Sequence, residues 1–350
     1  MPVKLVKLVK LTSGVVGLAL GGLLLTPASY AAQEVIPQKI IIDTDPGVDD
    51  ALAIIFAFHS PELEVLGLTT IFGNVETELA TLNSLRLVEM SGKNIPVAEG
   101  AVKPVYMKKL PPPDFVHGKD GFGNVNLPPP IGQPVEESAA EFIVDTVKAH
   151  PGEVILVVLG PMTNIALALA LEPDLPDYVK AVVPMGGVLE VMGNVSPVAS
   201  ANIRGDPHAA DIVLGTDWDV TLVPGDTTRQ VLITDDYLAR LRDHGGSHGR
   251  FVHDISIFYR DYYRSVGVTS GFYAHDPTAM AFVVDRSLFR TESRAVRVVT
   301  DGMAIGEVIA ATERHSSQPG PWYDIPKANI TMEVDSQGVL DLIEKAITIP

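Results

Sequence analysis

Lys39-Ile40-Ile41-Ile42-Asp43-Thr44-Asp45-Pro46-Gly47-Val48-Asp49-Asp50-Ala51-Leu52-Ala53-Ile54-Ile55 is the stretch on which the reading of the fold turns. Three isoleucines in a row suit a strand buried on both faces, as in a parallel sheet. Ala51–Phe58 is apolar throughout, with three alanines, and reads as a helix. A strand running directly into a helix starts a βα unit. Pro46 and Gly47 predict a tight turn between them, aiming Asp45 and Asp50 inward from either side. Four carboxylates within eight residues repel one another strongly in a water-poor crevice. The helix N-terminus offsets part of that repulsion and cannot balance four charges. A hard divalent cation can, and an oxygen donor set points to calcium or magnesium.

The same alternation continues outward. Strands are expected at Lys39–Ile42, Val65–Ile71, Val154–Leu159, Ala181–Met185 and Val220–Val223, and helices at Ala51–Phe58, Glu76–Ser91, Ser138–Ala149 and Asn164–Leu171. This predicts an α/β fold, a Rossmann-like open, mostly parallel sheet flanked by helices, in a single domain spanning 32–350. Ligands of such sheets bind at the carboxyl ends of the strands, so polar residues just after strands are where chemistry should lie. Lys103–Pro134 carries two Pro-Pro-Pro runs around Gly118, Gly121 and Gly123, which predicts a long irregular segment acting as a lid. His244–Arg250 reads as a surface connection.

The chain has 350 residues, 46% hydrophobic, and no cysteine, so thiolate metal sites and disulfides are excluded. Lys4, Lys7 and Lys10 precede the apolar run Leu11–Leu25, with small residues Ser29 and Ala31 two apart. The pattern predicts a signal peptide, 1–31, cleaved after Ala31, and an exported protein, periplasmic or secreted. The apolar run is shorter than the ~20 residues a spanning helix needs, so no stable membrane anchor is expected. Loss of three lysines and no acids moves the formal charge from -17 to -20. Such an acidic surface argues against nucleic acid as a partner and favours an uncharged small molecule. Oligomeric state is left open, a homo-oligomer included.

Polar residues follow strands at several further places. Asn74 ends Ile71-Phe72-Gly73-Asn74, and Leu159-Gly160 closes another apolar run. Met185 precedes Gly186-Gly187, and Asn194 and Asn202 follow. His275-Asp276-Pro277 reads as an N-cap aspartate with proline at the first helical position. His117-Gly118-Lys119-Asp120-Gly121 lies inside the irregular segment.

Together these pieces, led by Asp-x-Asp-Pro-Gly-x-Asp-Asp over 43–50, resemble the inosine/uridine-preferring nucleoside hydrolase family. The resemblance implies that Ca²⁺ is bound by Asp45, Asp50, the Leu159 carbonyl and Asp276, with Asp45 also the general base on a metal-bound water. It implies that Asp49, Asn74, Met185, Asn194 and Asn202 hold the sugar. His117 and Tyr263 are implied at the base, with His275 the acid that assists its departure. Asp43 is expected to orient ligands from behind. The chain departs from the family where a glutamate two residues before Asn202 is replaced by Ser200.

The implied reaction is hydrolysis of the N-glycosidic bond of purine or pyrimidine nucleosides to base and ribose. Positive charge builds on the sugar as the bond breaks, and carboxylates stabilise it. No phosphate-binding glycine loop is evident, which fits water rather than phosphate as the nucleophile. Two alternatives fit fewer residues. A magnesium-dependent phosphatase would share the Asp-x-Asp pair and leave Asp49-Asp50 without a role. An exported nucleoside- or sugar-binding protein without turnover would not need the full carboxylate set.

Overall fold

The isoleucines of the opening strand are nearly inaccessible, and they point alternately to two cores. In the computed structural model, which describes residues 10–13, 36–320 and 322–348, Ile40 and Ile42 belong to one apolar cluster and Ile41 to another. Strand β1 (Gln38–Thr44) is therefore covered on both faces, as its unbroken apolar run requires. The other strands of this sheet are β2 (Leu63–Thr70), β3 (Val97–Ala98), β4 (Val154–Val158) and β5 (Val179–Pro184). Their order is β3-β2-β1-β4-β5 and all pairings are parallel. The chain leaves β1 toward β2 on one side and returns to β4 on the other, so the strand order reverses between β1 and β4. A crevice opens there at the carboxyl ends.

Beyond β5 lies β6 (Thr221–Leu222), flanked by parallel bridges from Val182 to Val220 and from Met185 to Val223. An antiparallel pair follows, β7 (Leu232–Thr234) with β8 (Gly271–Tyr273). Strands β9 (Phe289–Val298), β10 (Val308–Ala310) and β11 (Lys327–Val334) join β6 in a second sheet, ordered β10-β9-β11-β6. Ile36–Pro350 form one compact unit. The fold is α/β with a mostly parallel central sheet between helices, as expected. The expected leader 1–31 lies outside the described residues except at 10–13. No helix among the described residues is long and apolar enough to cross a membrane.

The expected strands and helices are all present, with ends differing by no more than three residues. Lys103–Pro134 is irregular except for a helical turn at Asp114–His117. One expectation fails. His244–Arg250 is not a surface connection, because a 20-residue helix begins at Gly246 and runs to Ser265. It abuts the helix Asp235–His244, and a side chain at Gly249 would sit 1.9 Å from the Leu241 carbonyl oxygen. The glycines there allow two helices to touch.

Candidate active site

Strand β1 delivers the acidic turn to the crevice, and every carboxylate in it is buried. Asp43, Asp45, Asp49 and Asp50 are each at most 6% exposed, and Asp276 is 3% exposed. Thr44 Oγ1 donates to Asp50 Oδ1 at 2.6 Å, and the Gly47 N–H donates to Asp50 Oδ2 at 3.0 Å. These bonds fold the turn so that Asp50, in the first turn of the helix Val48–His59, faces back across it. Gly47 itself has extended backbone (φ −93°, ψ −161°), so the conformation does not demand glycine. Space does. A Cβ there would lie 2.4 Å from His117 Nδ1 and 2.9 Å from Asn74 Nδ2.

Asn74 braces two acids at once. Its backbone N–H donates to Asp45 Oδ2 at 2.6 Å, and its Nδ2 donates to Asp50 Oδ2 at 2.9 Å. Asp45 is enclosed by two glycines: added side chains would sit 1.9 Å from Oδ2 at Gly73 and 2.8 Å from Oδ1 at Gly160. Oxygens of Asp49, Asp50 and Asp276 all lie within 4.8 Å of one another. Oδ1 of Asp45 and Oδ1 of Asp49 are buried with no hydrogen-bond partner among the described residues. Buried acceptors are nearly always paired, so unpaired carboxylate oxygens beside a carboxylate cluster are suited to hold a cation. The donor set is entirely oxygen and fits a hard divalent ion.

Burial sets the electrostatics. It raises Asp43 to about 7, against hydrogen bonds from Asn164 and Thr69 that lower it. It raises Asp49 to about 6, opposed by the hydrogen bond from Tyr259. Asp45, Asp50 and Asp276 are also raised, by burial first and by neighbouring carboxylates second. The histidines move the other way. Burial lowers His117 to about 4, and burial, then the nearby Arg229 guanidinium, lowers His275 to about 3. Both are neutral near pH 7.

Above the acids opens a cleft of about 450 Å³. Its lining includes Asp49, Asn74 and His117 on one side, Leu159, Met185, Asn194 and Asn202 on another, and Tyr263, His275 and Asp276 on a third. The structure thus brings ten expected site residues to one cavity. Asp45 and Asp50 lie beside it, bonded to Asn74. Asp43 stands behind, its Oδ1 held by Thr69 at 2.6 Å and Asn164 at 2.7 Å. His117 is buried rather than exposed on its loop, and its Nδ1 accepts the Val48 N–H at 3.2 Å. As a neutral ring its remaining nitrogen, Nε2, carries the proton. Asn202 Nδ2 donates to the carbonyls of Leu159 at 2.5 Å and Met185 at 3.0 Å. One Leu159 lone pair is so occupied, and the second remains available. Asn194 Oδ1 accepts the Ala201 N–H at 2.9 Å, and Ser200 Oγ accepts the Gly187 N–H at 2.6 Å.

Asp276 differs from its expected place in the helix. The helix starts at His275 with Ala274 at its cap, so Asp276 is inside the first turn and its side chain caps nothing. Pro277 is tolerated there because first-turn N–H groups have no partner within the helix.

Residues that sequence reading missed complete the site. Tyr259 donates to Asp49 Oδ2 at 3.0 Å and lies 3.5 Å from the Tyr263 hydroxyl. Tyr263 meets His275 Nε2 at 2.9 Å, and Thr228 Oγ1 meets His275 Nδ1 at 2.6 Å. Tyr259 and Tyr263 are four apart and share one face of the helix Gly246–Ser265. That spacing was readable. Arg229 and Asn164 carried no such signal.

Fold and site together define an α/β enzyme with a buried carboxylate cluster at the carboxyl edge of a parallel sheet. Residues 40–341 match the family model described as inosine-uridine preferring nucleoside hydrolase. The chain is 42% identical over 315 residues to uridine nucleosidase 1 of Arabidopsis thaliana, covering 89% of this chain and 94% of that protein. It is 40% identical over 269 residues to the inosine-uridine preferring nucleoside hydrolase of Leishmania major, covering 76% and 85%. Among solved structures it is similar to a plant nucleoside hydrolase, PpNRh1, with a TM-score of 0.87 and 40% identity, over 90% of this chain and 100% of that one. A purine-preferring ribonucleoside hydrolase from Gardnerella vaginalis gives a TM-score of 0.82 at 34% identity, over 89% and 98%. The chain belongs to the inosine-uridine preferring nucleoside hydrolase family, and with it to the hydrolases of N-glycosyl bonds.

Proposed function

We propose that this chain is an exported, calcium-dependent ribonucleoside hydrolase that releases base and ribose from uridine and from purine nucleosides. The observation that carries the reading is the buried carboxylate cluster with unpartnered oxygens at the floor of the cleft. Asp45, Asp50, Asp276 and the Leu159 carbonyl would hold the ion, with Asp49 close enough to share it. Calcium bound there would supply a template for a sugar diol and an acidified water.

The chain's own groups then do the following. Asp45 takes the proton of the attacking water, using an oxygen that no other side chain occupies. Asn74 and the two flanking glycines fix that carboxylate, so the base is placed before substrate arrives. Asp49, steadied by Tyr259, accepts a sugar hydroxyl, and Asn202, whose Nδ2 is held by the Leu159 and Met185 carbonyls, offers its Oδ1 as a further acceptor. The carboxylates stabilise the cationic sugar as the bond to the base lengthens. His275 is fixed between Thr228 and Tyr263 with both ring nitrogens engaged, so as a neutral ring it can donate to the departing base only by turning its Nε2–H from the Tyr263 hydroxyl to the base. His117 Nε2 offers a second donor. Uridine is the first substrate to try because the Arabidopsis relative is a uridine nucleosidase, and the Gardnerella neighbour brings purines into the panel.

The test is base release from uridine, cytidine, inosine and adenosine, measured with Ca²⁺ and after chelation. Release that stops on chelation and returns with Ca²⁺, but not with Mg²⁺, supports the reading. Unchanged release in chelator would overturn the metal assignment, and no release from any nucleoside would overturn the activity. Export and the mature domain 32–350 rest on the basic start, apolar run and small residues of 1–31. N-terminal sequencing of the protein from its native host should begin at Ala32. A chain still starting at the initiator segment would rule export out.

A further inference from the structure

Arg229 presents a positive charge to a cleft lined by carboxylates, amides, aromatic rings and aliphatic side chains. It is half-buried and lines the same cavity as His275, Tyr263 and Met185. Among the described residues its guanidinium makes no ion pair, no hydrogen bond and no contact over an aromatic face. The nearby acid Asp226 is already committed: its two oxygens accept the N–H groups of Leu189 at 2.9 Å and Glu190 at 2.7 Å. An arginine with five donors and no partner, partly desolvated beside a ligand cavity, is poised for an acceptor that arrives with the ligand.

Its position says which part of the ligand. The preceding residue, Thr228, fixes the His275 ring from Nδ1 at 2.6 Å. Arg229 caps the helical turn Gly225–Thr228, and its Nε lies 3.7 Å from where a Gly225 side chain would start. Its charge is felt at both His275 and Tyr263. The acids that hold the sugar are braced instead by Asn74, Thr44 and Tyr259. Arg229 therefore belongs to the wall shared with His275, where a departing base would lie.

We propose that Arg229 is a catalytic residue that holds the acceptor edge of the leaving base and stabilises the negative charge that develops on it. The proposal rests on the hydrolase reading given above. In the step concerned the C1′–N bond breaks and its electron pair stays on the base. The water oxygen forms the new C1′–O bond, and the proton that water gives up is matched in the net reaction by one gained at the base nitrogen. Between those events a uracil or hypoxanthine ring carries negative charge, spread onto its carbonyl oxygens. A guanidinium is permanently charged and can receive that charge without a proton changing hands.

The experiment compares uridine and inosine with nitrophenyl β-riboside, whose leaving group is a stable anion needing no help. Wild type, Arg229→Met and Arg229→Lys are assayed with Ca²⁺. Arg229→Met is expected to lower kcat on the natural nucleosides about 100-fold, the scale of losing one transition-state charge donor, while kcat on the nitrophenyl riboside changes by less than about 3-fold. Arg229→Lys, which keeps charge and loses the fork, should recover part of the difference. Equal losses on both substrate types would overturn the proposal by showing a structural effect, and undiminished turnover of uridine and inosine would overturn it as well. Wild-type turnover of uridine or inosine shows that the hydrolase reading stands even if the arginine assignment falls. Turnover of neither would sink both.

Discussion

A single methyl group at position 73 would collide with the group proposed to remove the proton from water. The ideal Cβ of an alanine there lies 1.9 Å from Asp45 Oδ2, and the carboxylate must move to admit it. Displacements of about 1 Å at a reacting group can lower rates about 100-fold, so Gly73→Ala should lose activity on that scale while keeping a folded circular dichroism spectrum. Wild-type kcat/KM in that variant would contradict the placement of Asp45. Asp45→Ala removes the base outright and should lower kcat by about 10²–10⁴-fold. Turnover at the parent rate would refute its role. Much at this scale was legible in advance, since Asp43, Asp45, Asp49 and Asp50 fall within eight residues and their mutual repulsion follows from the sequence alone. The reason for Gly47 was not. It reads as a turn residue, and only the distant His117, folded against it, shows that the requirement is for room.

At the scale of elements, the helix Gly246–Ser265 supplies one wall of the cleft and the acidic turn supplies the floor. Their contact is the bond from Tyr259 to Asp49, between residues 210 apart in the chain. No local pattern announces a pairing of that span, which is why the bond from Tyr259 to Asp49 went unread although Tyr263, one turn on, was named. A hydrogen bond to a charged group contributes about 1.5–3 kcal/mol. Tyr259→Phe, which keeps the ring and its packing, is thus expected to lower kcat/KM roughly 10- to 100-fold. A loss in Tyr259→Phe no larger than about 2-fold would show that Asp49 does not depend on the hydroxyl. The second sheet was missed for a different reason. Its strand Phe289–Val298 intersperses charged residues at Arg290, Glu292, Arg294 and Arg297, and such an antiparallel strand lacks the unbroken apolar run that revealed the parallel ones. Where a helix met a helix through glycine, at Gly249, composition suggested a loop and the packing required the opposite. Gly249→Leu must part those helices and should destabilise the fold by about 1–3 kcal/mol, read as a lowered denaturant midpoint. An unshifted midpoint would mean that the contact is dispensable.

For the whole molecule, the buried acids link metal, pH and stability. Asp43 and Asp49 are held by burial at about 7 and about 6, above the unfolded value of about 3.9. A carboxyl raised on folding binds more protons folded than unfolded, so stability falls as pH rises between those values. His117 and His275, lowered to about 4 and about 3, act in the opposite direction up to about pH 6.5, so the acids are isolated by the calcium effect: Ca²⁺ should raise Tm more at pH 7.5 than at pH 5. Differential scanning calorimetry with and without chelator checks the sign, and a pH-independent calcium effect would contradict it. The fold also decides how news of an occupied cleft leaves it. Asn83 gives its one side-chain amide group to two carbonyls, Pro46 at 3.2 Å and Asp120 at 2.9 Å. Pro46 belongs to the acidic turn, and Asp120 gathers the N–H groups of Phe122, Asn124 and Asn126 into the base of the long proline-rich segment. That segment is consequently pinned to the floor it covers at two places, through Asn83 and through His117, whose Nδ1 accepts the Val48 N–H. A fluorophore at Phe115, exposed just ahead of the second pin, should report arrivals in the cleft that one at Asn126 would not.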